Sequence, residues 1–346
     1  MVAYEVFHTM KVRKKGKVGS MAIKLDMSKT YDRIEWGYLE AVMGKLGFCR
    51  KWIDLIMRSV SIVSYSDLIN WKPGSSSYPR RGLRQGDPLS PYLFILCAKD
   101  DCILFGRAKA DENLKIQEFL FKYEKASRQF LNKEKTAVFF SSNLRLEEKE
   151  KIMEIGGTIM RGSYEKHLGL PPVVGKSKYN TFRSIKERVW KKISNWKNSF
   201  LSFAGKEVLI KAVLQSIPTY TMSVLKLPKN LCKELNSLME NFWWGNSTKS
   251  SGIHWCRLEK LGRPKGSGGL GFRDVKSFNL ALLAKQGWRF LLNPRSLVAK
   301  IFKEKYYRSG PLLEAKLGHR PSFIWRSVWG ALKLLWEGLR WRVWEC

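Results

Sequence analysis

The tightest constraint on the fold of this chain is a short link. Two strand-like runs, Met21-Ala-Ile-Lys-Leu-Asp26 and Cys102-Ile-Leu-Phe, each carry carboxylate at one end: Asp26 closes the first, and Asp100-Asp101 precede the second. Ahead of the second run, a turn-rich loop, Arg80-Arg-Gly-Leu-Arg-Gln-Gly-Asp-Pro-Leu-Ser-Pro91, is followed by only eight residues, Tyr92–Lys99, before Asp100. A crossover that returns a strand to its sheet takes about a dozen residues or more. Eight cannot supply a helix plus a strand. Tyr92–Ala98 is therefore either a makeshift hairpin strand or a helix running towards Asp100. Ser90 as a cap and Pro91 in the first turn favour the helix.

The three segments suggest a chemistry when read together. A carboxylate at a strand end and an adjacent aspartate pair can hold two divalent cations, and two such metals stabilise the attacking and leaving oxygens of phosphoryl transfer. The glycines of the intervening loop let backbone approach a nucleotide or base closely. Adjacent aspartates alone are a common surface feature; the ordered conjunction is the signal.

Charge points the same way. The 346 residues hold 63 Lys+Arg against 30 Asp+Glu, a net charge of +33, with 44% hydrophobic residues, enough for sizeable globular cores. Such an excess implies a polyanionic partner, and 14 Trp, 12 Tyr and 18 Phe among the cations suit stacking on unpaired bases. The six cysteines form no CxxC pair, and with four His no zinc site can be read. The thiols read as reduced, in an intracellular protein. No secretory signal and no bilayer-length apolar run is present.

The run LDMSKTYDRIEW (25–36) resembles the first catalytic motif of plant LINE-type, non-LTR retrotransposon reverse transcriptases. GLRQGDPLSPYLF (82–94) resembles the loop that follows it, AKDDCILFGRA (98–108) the Asp-Asp motif with its return strand, and Phe130–Phe140 the next motif, with Lys135 in the lysine position. Tyr164-Glu-Lys-His-Leu-Gly-Leu-Pro-Pro resembles the primer-gripping hairpin. The resemblance implies an RNA-directed DNA polymerase with an RNA template, a DNA primer, no membrane and a nuclear site of action. Asp26, Asp100 and Asp101 would be catalytic and would ligate two Mg²⁺. Tyr31 would sense the sugar 2′ position, Gln85 and Gly86 would lie under the templating base and incoming nucleotide, Arg84 would touch template or phosphate, and Lys135 would sit near the triphosphate. Tyr31 also suits a core position, and Arg84 and Lys135 also suit solvated surface.

The departures from the family pattern are as informative. The link before Asp100 lacks the family's long helix and returning strand, Ala98 replaces an aromatic, and Lys99 adds a cation beside the metal position. The fingers expected ahead of Met1 are missing. The expectation is an internally deleted, truncated reverse transcriptase with polymerase activity largely lost; the alternative is a non-catalytic, basic nucleic-acid-binding remnant.

The expected fold class is α+β, a remnant of a right-hand polymerase palm, with a small antiparallel sheet and helices over 1–178. A helical thumb-like region over 179–250 and a basic, Trp-rich helical connection over 251–346 would follow. In the thumb-like region Phe182, Ile185, Val189, Ile193 and Trp196 recur at helical steps. Lys186, Lys191 and Lys192 on the remaining positions are candidates for a nucleic-acid backbone. Asp274 reads as the cap of a helix from Val275 to Leu292, ended by Asn293-Pro294.

Overall fold

A computed structural model of the chain describes all residues except 17, 27–30, 70, 85, 98–101, 133–134, 156–159, 162–176, 197–200, 246–255, 257 and 340–346. The architecture is α+β, and the chain divides into two compact units, Thr9–Gly169 and Met1–His8 with Leu170–Cys346. Helix α1 (Val2–Val12) opens the chain.

The unit Thr9–Gly169 is built on a four-stranded sheet of order β4-β1-β5-β6, formed by β1 (Ser20–Lys24), β4 (Ile103–Arg107), β5 (Ala137–Phe140) and β6 (Met160–Arg161). β1 runs antiparallel to both neighbours, with Lys24 opposite Ile103 on one side and Ala137 on the other. Its central position explains its composition: Met21, Ala22 and Ile23 are all buried, so the strand reads as a continuous apolar run. Helices α5 (Ala110–Ser127) and α6 (Leu146–Ile155) belong to this sheet's side of the unit, and Leu120 and Ile152 join Met21, Ile23, Leu25 and Val138 in its core.

A second core in the same unit joins α2 (Trp36–Lys45), α3 (Arg50–Ser61) and α4 (Ser90–Cys97) through Leu39, Met43, Ile53, Ile56, Leu93 and Cys97. Between α3 and α4 stands a hairpin of β2 (Tyr65–Ile69) and β3 (Lys72–Ser77), whose second strand is exposed throughout.

The other unit is helical among its described residues: α7 (Lys178–Asn195), α8 (Phe203–Leu209), α9 (Thr219–Met222), α10 (Lys229–Trp244), α11 (Leu258–Leu261), α12 (Val275–Leu292), α13 (Leu297–Tyr306), α14 (Phe323–Trp329) and α15 (Leu332–Gly338). Phe182, Ile185 and Val189 of α7 and Leu231, Leu235, Met239 and Phe242 of α10 enter one core with Trp325 and Phe302. Tyr4 of α1 belongs to that core, and Glu5 is buried there against Lys305 Nζ at 2.6 Å.

Several elements differ from expectation. The strand expected to reach Asp26 stops at Lys24. Apolar residues at helical spacing begin at Tyr31, yet α2 starts only at Trp36. Helix α8 runs on into a π turn, Ile210–Leu214. Tyr92–Ala98 is helical as far as Cys97, not a hairpin strand.

Candidate functional site

The central rung of the site lies at the end of β1. Leu25 N–H donates to the Cys102 carbonyl at 2.8 Å, extending the β1–β4 ladder one residue beyond Lys24. Asp26 follows Leu25 in the chain, and Asp101 precedes Cys102. The antiparallel pairing thus bonds the residue that precedes Asp26 to the residue that follows Asp101. Asp100 and Asp101 themselves lie outside the described residues, as do Gln85 and the stretch Tyr164–Pro172.

Asp26 is half-buried, and its backbone is held from the β5 side. Its N–H donates to Thr136 Oγ1 at 3.4 Å, and its carbonyl accepts from Asn132 N–H at 2.8 Å. Asn132 also accepts from the amides of Lys135 and Thr136, at 3.2 and 2.8 Å. The turn that presents Lys135, exposed at its tip, is therefore bonded directly to Asp26. The lysine motif and the first aspartate, far apart in sequence, are neighbours for a backbone reason.

A second set of bonds joins the glycine loop to the segment after Asp26. Gly82 N–H donates to the Ile34 carbonyl and Leu83 N–H to the Tyr31 carbonyl, both at 2.8 Å, while Trp36 Nε1 donates to the Gly82 carbonyl at 2.9 Å. Gly82 sits at φ +88°, and a Cβ there would meet the Asp32 carbonyl at 3.0 Å, so the close approach demands glycine. Gly86 is exposed at φ +89°, again a glycine conformation. Arg84 is exposed beside Trp36, Tyr65 and Asp87. Asp87 Oδ1 accepts from Leu89 and Ser90 N–H at 2.6 and 3.3 Å, anchoring the start of α4.

Helix α4 carries Phe94, whose ring stacks on Tyr31 with centroids 4.2 Å apart and planes 2° from parallel. Tyr31 is thus fixed by packing on one face while half-buried. At the end of the same helix, burial pushes the Cys97 thiol up to about 12, which makes it inert at neutral pH.

The lysines of α7 diverge. Lys186 Nζ lies 2.8 Å from Glu234 Oε2 of α10, and Tyr179 Oη donates to the same oxygen at 2.7 Å. The hydrogen bond to Glu234 raises the Lys186 pKa above its ordinary value. Lys186 thus joins α7 to α10, whereas Lys191 and Lys192 are exposed.

Among the described residues Asp26, Tyr31, Arg84, Gly86 and Lys135 all belong to Thr9–Gly169, and two backbone networks order them. Sequence reasoning missed the residues that do the ordering: Thr136, Asn132, Trp36 and Phe94. Each stands inside a stretch already singled out, but a side chain that bonds distant backbone leaves no periodic trace. Among the described residues no group of three or more His, Cys, Asp or Glu could hold a metal, and no helix is long and apolar enough to cross a membrane.

Residues 3–100 match the family model described as reverse transcriptase (RNA-dependent DNA polymerase). An uncharacterized mitochondrial protein of Arabidopsis thaliana is 38% identical over 138 residues, 37% of this chain and 90% of that protein. A putative ribonuclease H protein of Arabidopsis thaliana is 36% identical over 171 residues, 49% of this chain and 27% of that protein. The retrovirus-related Pol polyprotein from type-1 retrotransposable element R2 of Popillia japonica is 31% identical over 88 residues, 25% of this chain and 14% of the polyprotein. The last two matches span only a minor part of those proteins. The chain belongs to the reverse transcriptase (RNA-dependent DNA polymerase) family, on the side of the non-LTR retrotransposons.

Proposed function

We propose that this chain is, by descent, the RNA-directed DNA polymerase of a plant LINE-type retrotransposon, acting on an RNA template and a DNA primer in the nucleus. In this reading 1–178 is the palm remnant, 179–250 the thumb and 251–346 the connection. The observation that carries it is the Leu25–Cys102 rung, a backbone bond between the residue before Asp26 and the residue after Asp101. Aspartate carboxylates are the hard oxygen donors that Mg²⁺ takes, so this donor set fits two such ions. When bound, the ions would stabilise the attacking and leaving oxygens of nucleotidyl transfer. Asp26, Asp100 and Asp101 would hold them. Tyr31, its ring fixed on Phe94, would meet the sugar of the incoming nucleotide. Gln85 and Gly86 would lie beneath the base, Arg84 would contact template or phosphate, and Lys135 would attend the triphosphate.

The same proposal holds that polymerase activity is low or absent. Catalytic groups need placement within about 0.5 Å. Helix α4 already occupies Ser90–Cys97, so the link ahead of the aspartate pair is too short for the long helix that the family carries there. Primer extension on an RNA template with Mg²⁺ or Mn²⁺ is the test. The expected result is no synthesis above background. Robust synthesis abolished by Asp26→Asn would overturn the loss of activity and sustain the metal site; robust synthesis indifferent to Asp26→Asn would overturn the site itself.

A second reading, a basic nucleic-acid-binding remnant without catalysis, is favoured by the exposed Lys191 and Lys192 on α7. Binding that does not weaken with added salt would exclude it.

A further inference from the structure

We propose that a cleft between α10, α12 and the glycine loop Gly262–Gly271 binds the phosphodiester backbone of a single-stranded nucleic acid. It lies wholly in the helical unit and does not rest on the catalytic reading. The cleft has a volume of about 800 Å³, and Lys229, Lys233, Arg273 and Lys276 line it. All four are exposed, and none is in an ion pair among the described residues. Elsewhere in the unit several cations are matched: Lys186 with Glu234, Lys211 and Lys265 with Glu207, Lys305 with Glu5. Unmatched like charges converging on one cleft repel each other, and an array of phosphates is what relieves the repulsion.

The one carboxylate in the lining, Asp274, offsets only part of this charge, one anion against four cations. Asp274 Oδ2 accepts from Ser277 N–H at 2.7 Å and Oδ1 from Asn236 Nδ2 at 2.8 Å, so both oxygens serve the end of α12. The Arg273 guanidinium lies 4.5 Å from the ring centroid of Phe278, a flat cationic surface on which a base can stack while the planar fork meets a phosphate. That stacking surface is the reason for choosing a single strand over a duplex.

The wall is built before any ligand arrives. Leu270 N–H donates to the Leu261 carbonyl at 2.8 Å and Gly271 N–H to the Arg263 carbonyl at 2.9 Å. Gly268 and Gly271 take φ +76° and +72°, and a Cβ on Gly269 would stand 2.1 Å from the Arg263 carbonyl. Gln215 Nε2 donates to the Arg273 carbonyl at 3.3 Å. Asn236 Oδ1 accepts from Val275 N–H at 3.3 Å, joining α10 to α12. Cations on a fixed scaffold lose less entropy on binding than cations on a loose one.

The test is fluorescence anisotropy of the full chain with a labelled oligouridylate, in EDTA and without nucleotides, so that no polymerase site takes part. The triple variant Lys229→Gln, Lys233→Gln, Lys276→Gln is compared with a variant of equal charge loss away from the cleft, Lys285→Gln, Lys300→Gln, Lys303→Gln. We expect the first to weaken binding about tenfold or more and to lower the slope of log affinity against log salt by about 2, and the second to weaken it less than about threefold. Equal effects from the two triples would overturn the proposal, leaving only the general field of the chain. Replacing the same three cleft lysines by Arg controls for a defect in folding: it should keep the affinity within about threefold, and loss of binding there overturns the proposal as well.

Discussion

Asp274 fixes the start of a helix with one carboxylate. Its Oδ2 accepts from Ser277 N–H, and α12 begins at the next residue, Val275. Burial pushes its carboxyl up, but the backbone and side-chain hydrogen bonds from Ser277 and the amide of Asn236 outweigh this and hold the pKa below 3.8. A carboxylate depressed in the folded state contributes stability above its unfolded pKa, and that contribution is lost as pH falls through the folded value. Asp274→Ala should therefore destabilise the protein by about 1 kcal/mol at neutral pH, and the gap to the unsubstituted chain should close as pH falls below 3.8. Urea titrations of the two proteins at several pH values read this directly, and a gap that widens in acid would refute it. This cap was legible in the sequence because capping is local: an Asp before an apolar run and an Asn-Pro after it are sufficient. Lys206 was not. It is buried, and its Nζ donates to the carbonyls of Trp243 and Gly245 at 3.3 and 2.8 Å, closing the C-terminal end of α10 from a helix far away in sequence. Desolvation lowers its pKa, so folding disfavours its charge. Stability relative to Lys206→Met should accordingly rise as pH climbs towards 10.5. Thermal unfolding of both proteins at increasing alkalinity checks the sign.

At the scale of elements, the glycine loop and α2 show what periodicity can and cannot give. The apolar spacing from Tyr31 onwards is helical, yet α2 begins only at Trp36. The carbonyls of Tyr31 and Ile34 accept from Leu83 and Gly82, so those residues are committed to the loop and not to a helix turn. A pattern that spans a tertiary contact reads as one element when it is two. The strand β3, Lys72–Ser77, was invisible for a simpler reason: it is exposed throughout, and a strand with no buried face has no alternation to read. α12 and α7 were legible because a helix pressed on one core keeps its stripe. The loop contact supplies the prediction at this scale. Gly82→Ala adds a Cβ 3.0 Å from the Asp32 carbonyl in a left-handed conformation, which costs about 1–2 kcal/mol for the conformation alone. Hydrogen exchange at the amides of Gly82 and Leu83, both bonded at 2.8 Å in the native chain, should accelerate at least tenfold, while the amide of Leu25 at the β1–β4 rung should be unaffected. Uniform acceleration across Thr9–Gly169 would mean that the loop does not open as its own unit.

For the whole molecule, each buried cluster among the described residues draws on one unit. Leu25, Met21 and Val138 on one side and Leu39, Ile53 and Leu93 on another form the cores of Thr9–Gly169, while Phe182, Leu235, Phe302 and Trp325 share the core of the helical unit with Tyr4. The sequence carried the α+β character, because β1 reads as a strand and α7 as an amphipathic helix. It did not carry the assignment of α1, whose Tyr4 joins residues of the distant C-terminal half; a contact between chain ends has no local signature. Cores that are not shared should unfold separately. Calorimetry of the full chain should therefore need two transitions, and Trp325→Ala, which removes a fully buried indole stacked 4.8 Å from Tyr306, should lower one of them while leaving the other within about 2 °C. The sheet's response identifies which: Ile23→Ala in β1 should shift the transition that Trp325→Ala spares. A single transition whose calorimetric and van't Hoff enthalpies agree, shifted by both variants, would show the two cores to be energetically one.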